Sequence, residues 1–259
     1  MNADTSPRFP DLAGKVAVVT GGSMGIGRAC CLLLAANGCR VAVAARSQER
    51  VSAVVDEIRA TGGEAIGVTG DASLPGDIAA LRRTVERELG PTDVLLPYAG
   101  GFQSFSPIWD TSLEEFEAVV RANLTSTFLA MREFLPPMIA RESGSIVLMA
   151  SVSARYLDKL TTASYAAAKA GVLMLMRHAA LEAGGYQVRI NAIAPATVSS
   201  ERIERIMDDE ALASTAALSP LGRLGTPQDC AAASAFLASD ASSWITGVTL
   251  DVAGGRVML

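Results

Sequence analysis

The sequence predicts an α/β fold: an open, doubly wound sheet of parallel strands with helices on both faces. Short β-branched runs alternate with longer helix-like stretches along the chain, as in proteins that repeat a strand–helix–strand unit. Runs such as VAVV and VLL are apolar throughout, which is typical of strands that are covered on both faces. No stretch rich in Pro, Gly or Ser divides the 259 residues, so we expect a flexible N-terminal arm at 1–11 and a single domain over 12–259.

The expected elements follow one another in the order strand, helix, strand. Strands are predicted at Val16–Thr20, Arg40–Ala44, Ala65–Thr69, Val94–Tyr98, Ser145–Ala150, Val188–Ile193 and Thr249–Val252. Helices are predicted near 26–36, 47–61, 75–89, 113–141, 163–183 and 227–238. The helix at 163–183 is apolar on nearly every side, whereas a helix that rests on a sheet needs only one apolar stripe. We therefore expect its other face to meet a helix or another subunit, which favours a homo-oligomer, either a tetramer or a dimer.

Composition excludes several classes of protein. Half of the residues are hydrophobic and mean hydropathy is +0.31, which a disordered chain does not show. A net charge of −5 argues against nucleic acid as the main partner, and no apolar run has the length of a membrane span. The single histidine and the four cysteines lack the spacing of a metal site, so no metal is expected. We interpret the cysteines as small hydrophobes and the protein as cytoplasmic.

A glycine-rich turn, Thr20-Gly-Gly-Ser-Met-Gly-Ile-Gly27, follows the first predicted strand. Its glycines allow a tight turn and a close approach of the backbone, and the helix that follows offers N–H groups to a pyrophosphate. It is not a P-loop, because Arg28-Ala29 stands where Lys-Ser/Thr is required. The turn predicts a dinucleotide site that is formed by Gly21, Ser23, Met24, Gly25, Ile26 and Gly27.

The end of the second strand indicates which dinucleotide binds. An acidic residue there would bind the ribose 2′-hydroxyl, whereas an arginine can accommodate a 2′-phosphate. The sequence has Arg46 and Ser47 and no Asp or Glu, so NADP(H) is favoured over NAD(H). A solvated Arg46 is the alternative, and Met24 is a contrary sign because a basic residue there would add to the phosphate pocket.

Tyr165 and Lys169 lie one turn apart on one face of a predicted helix. A free tyrosine has a pKa of about 10, which must fall by about three units for proton exchange near pH 7. One ammonium about 4 Å away contributes on that order at an effective dielectric constant near 20. The pair therefore permits a tyrosine acid–base group, and a pair of solvated surface residues is the alternative.

Further residues occur in the order that is typical of one family. They are Asp71 after the third strand, Ala99-Gly100 after the fourth, Asn123, Ser151, and the run Asn191–Pro195. With the glycine-rich turn, Tyr165 and Lys169, they make the chain resemble the single-domain form of the short-chain dehydrogenase/reductase family over residues 12–255. The resemblance implies a Rossmann-type fold and an NAD(P)-dependent enzyme that acts on CH–OH groups.

The resemblance also implies a role for each catalytic residue. Tyr165 would be the general acid/base, and Lys169 would lower the pKa of Tyr165 and hold the nicotinamide ribose. Ser151 would hydrogen-bond the substrate oxygen, and Asn123 would position a water in a proton relay to Lys169. The spacing to Tyr165 leaves Ser153 open as the alternative serine, and Ser151 is favoured because it directly follows its strand.

The remaining contacts are expected at the carboxyl edge of the sheet. The cofactor would also contact Asp71, Ala72, Ala99, Gly100, Tyr165, Lys169, Pro195, Ala196, Val198 and Ser200. The substrate would contact Ser151, Ser153, Phe102, Tyr156 and Tyr165, with Arg155 beside them. The polar, helix-prone segment 199–219 is interpreted as a mobile substrate lid.

The chain departs from the family pattern in two places. Pro97-Tyr98 stands where Asn-Asn is usual, so the side-chain hydrogen bonds that normally tie this strand to its neighbour are expected to be missing. Ala196 stands where Gly usually follows the proline. Neither change removes a catalytic group.

The predicted function is NADP(H)-dependent interconversion of a ketone and a secondary alcohol, with a small carbonyl or alcohol compound as the only expected binding partner besides other subunits. Reduction of a 3-oxoacyl thioester is the first choice of substrate, and a sugar/polyol or steroid dehydrogenase is the alternative. A non-catalytic dinucleotide-binding sensor or scaffold is the alternative from another class. A serine hydrolase is excluded, because the chain has no G-x-S-x-G motif and its one histidine, His178, lies on the same helix as Tyr165.

Overall fold

Parallel strands form one sheet of seven in the order β3-β2-β1-β4-β5-β6-β7. The computed structural model describes residues 6–101, 105–157, 161–200, 203 and 207–258. The strands are β1 (Val16–Thr20), β2 (Arg40–Ala45), β3 (Glu64–Thr69), β4 (Val94–Pro97), β5 (Gly144–Met149), β6 (Val188–Pro195) and β7 (Thr249–Val252). The expected α/β fold is confirmed.

Helices cover both faces of this sheet, which is why its central strands are apolar throughout. They are α1 (Gly25–Ala36), α2 (Gln48–Ala60), α3 (Pro75–Glu88), α4 (Leu113–Val120), α5 (Ser126–Ala140), α6 (Ala163–Ala183), α7 (Asp209–Ala217) and α8 (Pro227–Ala238). One apolar cluster joins α1, α2 and α8 to the sheet, and another joins α3, α5 and α6 to its opposite face. The predicted double winding therefore describes the layers correctly.

A crevice is expected where the strand order reverses, at the carboxyl ends of β1 and β4. The chain leaves β1 for β2 on one side and later returns to β4 on the other. Strands β4 and β5 pair at Val94 with Ser145 and at Leu95 with Ile146. Pro97, at the end of β4, has no N–H to extend the pairing. The carboxyl edge of the sheet is thus the place where a ligand can enter between the connecting loops.

The predicted helix over 113–141 is interrupted. Between α4 and α5 the chain makes a π-helical turn at Arg121–Thr125, in which the N–H of Ser126 donates to the carbonyl of Arg121. A π turn adds one residue to the helical repeat, often at functional sites, and the 3.6-residue pattern of side chains does not reveal it. This turn contains Asn123.

Residues at the N-terminus contact the end of α1. The N–H of Phe9 donates to Asn37 Oδ1 at 2.6 Å, and Asn37 Nδ2 donates to the carbonyl of Pro7 at 3.1 Å. Pro10–Leu12 forms a 3₁₀ turn with Leu12 fully buried. Part of the segment that the sequence analysis treats as a flexible arm is therefore hydrogen-bonded to the body of the protein. Among the described helices, none combines the length and the apolar character that crossing a membrane requires.

Candidate active site

The glycine-rich turn between β1 and α1 brings backbone segments very close together. A Cβ on Gly21 would lie 2.7 Å from the carbonyl oxygen of Tyr98, and one on Gly27 would lie 2.2 Å from the carbonyl oxygen of Gly21. Gly25 has a φ of +51° and open space where its Cβ would project. Met24 gives α1 no side-chain cap, so the first N–H groups of this helix can serve a ligand. The turn fits a pyrophosphate.

Arg46 and Ser47 lie between β2 and α2, beside that turn. Arg46 is exposed, and Ser47 Oγ accepts a hydrogen bond from the N–H of Arg50 at 3.4 Å as the N-cap of α2. Asp71 Oδ1 accepts hydrogen bonds from the N–H and the hydroxyl of Ser73, both at 2.8 Å. These bonds, the first above all, lower the pKa of Asp71, and the positive charge of Arg46 adds to the effect. The carboxylate of Asp71 is therefore ionised near neutral pH, and it interacts electrostatically with Arg46. Ala72, the next residue, is partly buried against the core.

Tyr98 connects the end of β4 to α8 by a hydrogen bond that the sequence does not predict. Its buried hydroxyl forms a 2.7 Å hydrogen bond with Ser234 Oγ on α8, and burial raises the pKa of this phenol well above its usual value. The N–H of Ala99 donates to Thr20 Oγ1 at 3.3 Å on the neighbouring β1. Tyr98 and Thr20 therefore hold the end of β4 in place of the side-chain hydrogen bonds that an Asn-Asn pair would make.

Asn123 holds the loop that follows β4. Its side chain is fully buried; Oδ1 accepts from the N–H of Gly101 at 2.9 Å, while Nδ2 donates to the carbonyls of Gly101 and Val119 at 2.8 and 2.9 Å. A Cβ on Gly100 would lie 2.5 Å from Asn123 Oδ1, so only glycine fits there. Both donors of the amide are thus committed to backbone, and the side chain positions Gly100–Gly101.

Ser151 and Ser153 lie together at the end of β5. Ser151 begins a 3₁₀ turn (Val152–Ala154) that contacts α6, and its Oγ accepts from the N–H of Ser153 at 3.2 Å. The two hydroxyl oxygens are 3.0 Å apart and both residues are buried. The geometry brings both candidate serines to one place and does not separate them.

Tyr165 and Lys169 lie on one face of α6, as their spacing predicts. Thr162 caps this helix, and its Oγ1 accepts from the N–H of Tyr165 at 3.3 Å. Lys169 Nζ is 5.5 Å from the centroid of the Tyr165 ring and donates to the carbonyl of Met149, the last residue of β5, at 2.7 Å. Lys169 is 2% exposed, and this burial lowers its pKa to about 7.

The loop after β6 lies at the same edge of the sheet, next to the end of β5. Pro195 is buried, and the N–H of Ala196 donates to the carbonyl of Val252 at 3.3 Å. Val198 pairs with Gly225, whose carbonyl accepts from the N–H of Ser199. These bonds hold Ala196 and Val198 along the edge of the sheet. Ser200 Oγ accepts from the N–H of Ile203 at 3.3 Å.

The residues predicted to line the substrate pocket have different surroundings. Arg155 forms an ion pair with Asp251 on β7, so its charge is already neutralised. Tyr156 is 47% exposed, directly after the turn that contains the two serines. Phe102 lies outside the described residues, as do 201, 202 and 204–206 of the predicted lid. The described part of the lid contains α7, capped by Asp208.

Sequence reasoning missed two residues beside the site. Ser234 anchors Tyr98, and no sequence signal links positions so far apart in the chain. Arg50 extends from α2 to the glycine-rich turn, where its Nη1 is 3.4 Å from Met24 Sδ. A helical side chain leans toward the N-terminus of its helix, so the place of Arg50 in the first turn of α2 was the available signal.

A glycine-rich turn at the switch point of a parallel sheet, with a Tyr–Lys pair at the same edge, defines the class of nicotinamide-dinucleotide-dependent oxidoreductases. Comparison with known proteins gives the family. A family model described as enoyl-(acyl carrier protein) reductase matches residues 21–256. The chain belongs to the short-chain dehydrogenase/reductase family, whose members bind NAD(P) and act on carbonyl or alcohol groups.

Relatives and solved structures agree over nearly the whole chain. The chain is 36% identical to 3beta-hydroxysteroid dehydrogenase 1 of Eggerthella lenta, with 96% of each chain covered. It is 37% identical to a 3-oxoacyl-[acyl-carrier-protein] reductase of Synechocystis sp., with 95% of this chain and 98% of the other covered. A crystal structure of a 3-oxoacyl-[acyl-carrier protein] reductase with bound NAD from Brucella melitensis superimposes with a TM-score of 0.91 at 28% identity, covering 100% and 98% of the two chains.

Proposed function

We propose that this protein is an NADP(H)-dependent oxidoreductase that interconverts a ketone and a secondary alcohol. The observation that carries the proposal is the buried amine of Lys169, 5.5 Å from the ring of Tyr165 at the carboxyl edge of the sheet. An amine is expensive to bury, and its charged form stabilises a phenolate beside it. A half-buried tyrosine in that place can exchange a proton with a substrate oxygen.

The residues of the crevice divide the chemistry among them. A bound nicotinamide coenzyme supplies the hydride in reduction and accepts it in oxidation. In reduction, Tyr165 donates its hydroxyl proton to the oxygen on which negative charge develops, and in oxidation the phenolate removes the alcohol proton. The hydroxyl of Ser151, or of Ser153 beside it, donates a hydrogen bond to the same oxygen.

Lys169 and Asn123 support this step without contacting the reacting carbon. The charged form of Lys169 favours the phenolate of Tyr165 and offers N–H donors to ribose hydroxyls. Because burial lowers the pKa of Lys169 to about 7, the charged form is only partly populated near neutral pH. Asn123 orients Gly100–Gly101 through its side chain, whose two N–H donors are already bonded to backbone carbonyls.

Arg46 supports the choice of NADP(H) over NAD(H). It is exposed at the end of β2 and forms no salt bridge within the described chain, and it interacts electrostatically with the ionised Asp71. Ser47 adds a hydroxyl at the N-terminus of α2, where the helix dipole favours an anion.

A 3-oxoacyl thioester is the proposed substrate, in line with the Synechocystis relative. A steroid is the second candidate, because Tyr156 and Leu157 are 47% and 96% exposed directly after the serine turn. Apolar side chains at this point favour a large apolar alcohol or ketone over a sugar or polyol.

We further propose a homo-oligomer in the cytoplasm. A groove of about 470 Å³ between α5 and α6 is lined by Leu124, Phe128, Met174 and Leu175, with Phe128 and Met174 44% and 53% exposed. One side of α6 is buried on the sheet, and this apolar groove follows its other side.

The cytoplasmic location is supported by the cysteines. All four are free and buried, which suits a reducing compartment.

The function is tested with purified protein, NADPH or NADH, and a panel of β-ketoacyl thioesters, steroid ketones and sugars. Loss of nicotinamide absorbance is followed for each pair. We expect turnover of at least one ketone with NADPH and a higher kcat/KM than with NADH. Coenzyme binding without turnover of any ketone or alcohol would favour the sensor or scaffold instead.

A further inference from the structure

We propose that Arg50 is a second cation for the 2′-phosphate of the coenzyme, supplied by α2 to the place where Met24 provides none. This inference rests on the proposed use of NADP(H). It assigns coenzyme selectivity to a pair of arginines, Arg46 and Arg50, of which the end of β2 indicates only the first.

The position of the Arg50 guanidinium is the starting observation. Arg50 is in the first turn of α2, and its side chain returns toward the glycine-rich turn, where Nη1 is 3.4 Å from Met24 Sδ. Met24 directly precedes α1 and is 41% exposed. A thioether is only a weak acceptor, so this contact positions the guanidinium without satisfying its donors.

One carboxylate interacts electrostatically with this pair of arginines: besides the hydrogen bonds from Ser73, the positive charge of Arg46 lowers the pKa of Asp71. In the described part of the chain neither Arg46 nor Arg50 forms a salt bridge, and the exposed Glu49 next to Arg50 is not paired with it. Arg28, at the start of α1, differs: its Nη2 is 2.7 and 2.6 Å from the two carboxylate oxygens of Glu57. Arg28 is thus neutralised by an ion pair, whereas Arg46 and Arg50 form none among the described residues.

The charge and the donors of these residues favour a phosphate over an uncharged ribose. Ser47 caps α2 between the two arginines in sequence, and its hydroxyl still has a proton to donate while its oxygen accepts from the N–H of Arg50. Two guanidinium groups, a hydroxyl and a helix N-terminus are the donors that bind a dianionic phosphate well. An uncharged 2′-hydroxyl gains little from them.

The test compares Arg50→Met with wild type and with Arg83→Ala, an exposed arginine on α3 whose loss changes net charge equally. Dissociation constants for NADPH, NADH, 2′,5′-ADP and 5′-AMP are measured by fluorescence or calorimetry. We expect Arg50→Met to weaken NADPH and 2′,5′-ADP by about tenfold and NADH and 5′-AMP by less than about twofold. Arg83→Ala should change none of them.

A rescue variant completes the experiment. Met24→Arg in the Arg50→Met background places a cation on the turn itself and should restore most of the NADPH affinity. Equal effects on NADPH and NADH, or none on either, would overturn the role of Arg50. Such a result leaves the proposed function standing if the wild type still binds NADPH and reduces a ketone, whereas a wild type that binds neither coenzyme contradicts both proposals.

Discussion

Lys169 is a buried ionisable group, and holding its charge in the interior is costly. Its amine is buried, has a backbone carbonyl as hydrogen-bond partner, and has a pKa lowered to about 7 from an ordinary value of 10.5. The folded protein therefore binds fewer protons than the unfolded chain between these two pH values. The cost of burying the charge is fully present below pH 7, and it disappears as pH rises toward 10.5.

This pH dependence of the cost of burying Lys169 gives the first prediction. Lys169→Met should be inactive yet more stable than wild type below pH 7, by about 2 kcal/mol, because an apolar side chain replaces a buried charge. As pH rises from 7 toward 10.5 the difference should shrink and then change sign, by up to about 1.4 kcal/mol per pH unit. Denaturant unfolding at a series of pH values measures it. Lys15→Met, at a partly exposed salt-bridged lysine, is the control and should show no such trend. If the difference in the free energy of unfolding between Lys169→Met and wild type stays constant with pH, the lowered pKa of Lys169 is contradicted.

Gly21 gives the second prediction at the residue scale. Its φ of +68° costs an alanine about 1 kcal/mol, and a Cβ would also lie 2.7 Å from a backbone oxygen. Gly21→Ala should therefore lose several kcal/mol of stability and at least about tenfold in coenzyme affinity. Gly62→Ala is the control, because Gly62 has a φ of +83° with open space around it. If the two variants behave alike, the close approach at the turn is not what requires glycine.

Elements of secondary structure are held in place around the crevice by side chains that are distant in sequence. The end of β4 is tied to α8 by Tyr98 and Ser234, and the loop after it is tied to the π turn by Asn123. The crevice thus has fixed walls even though the pairing of β4 with β5 does not extend to Pro97.

Tyr98→Phe tests the tie to α8. Ser234 keeps its 2.7 Å hydrogen bond to the carbonyl of Cys230, so no buried donor is left alone, and a loss of about 1 kcal/mol in the free energy of unfolding is expected. Coenzyme affinity should change by less than about twofold. Tyr186→Phe, at a 47% exposed tyrosine, should change stability by less than about 0.5 kcal/mol. Equal stability of the two variants would mean that the Tyr98–Ser234 bond contributes nothing.

The sequence allowed the elements to be predicted far better than the contacts between them. Strand and helix periodicity indicated β1, β7, α6 and α8 at their observed bounds, because burial on a sheet imposes a local pattern. The π turn at Arg121–Thr125 was missed, since one extra residue in a turn leaves that pattern nearly unchanged. The Tyr98–Ser234 bond was missed because it joins positions 136 residues apart.

The same limit applies to the candidate site. The spacing of Tyr165 and Lys169 predicted their shared face, because both are on one helix. The choice between Ser151 and Ser153 could not be predicted, and the structure brings both hydroxyls together. Arg50 was overlooked because its contact with Met24 joins the first turn of α2 to the residue before α1, 26 positions away in the chain.

At the scale of the whole molecule, an apolar groove lies open on the surface of the described chain, between α5 and α6. If a second copy covers it, Met174→Glu places a charge in the interface and should shift the protein toward monomers, with the fold kept. Sedimentation velocity measures the change. Leu74→Glu, at a 50% exposed leucine outside the groove, should leave the assembly intact. A wild type that is monomeric throughout would contradict the proposed oligomer.

The most direct test of the account is Tyr165→Phe, which removes one oxygen and keeps the ring beside Lys169. We predict that turnover of the best ketone found with wild type falls by at least about a hundredfold, because the proton donor is lost. The dissociation constant for NADPH should change by less than about threefold, since the glycine-rich turn and the arginines are untouched. A variant that keeps the wild-type kcat would contradict the assignment of Tyr165 as the acid–base group.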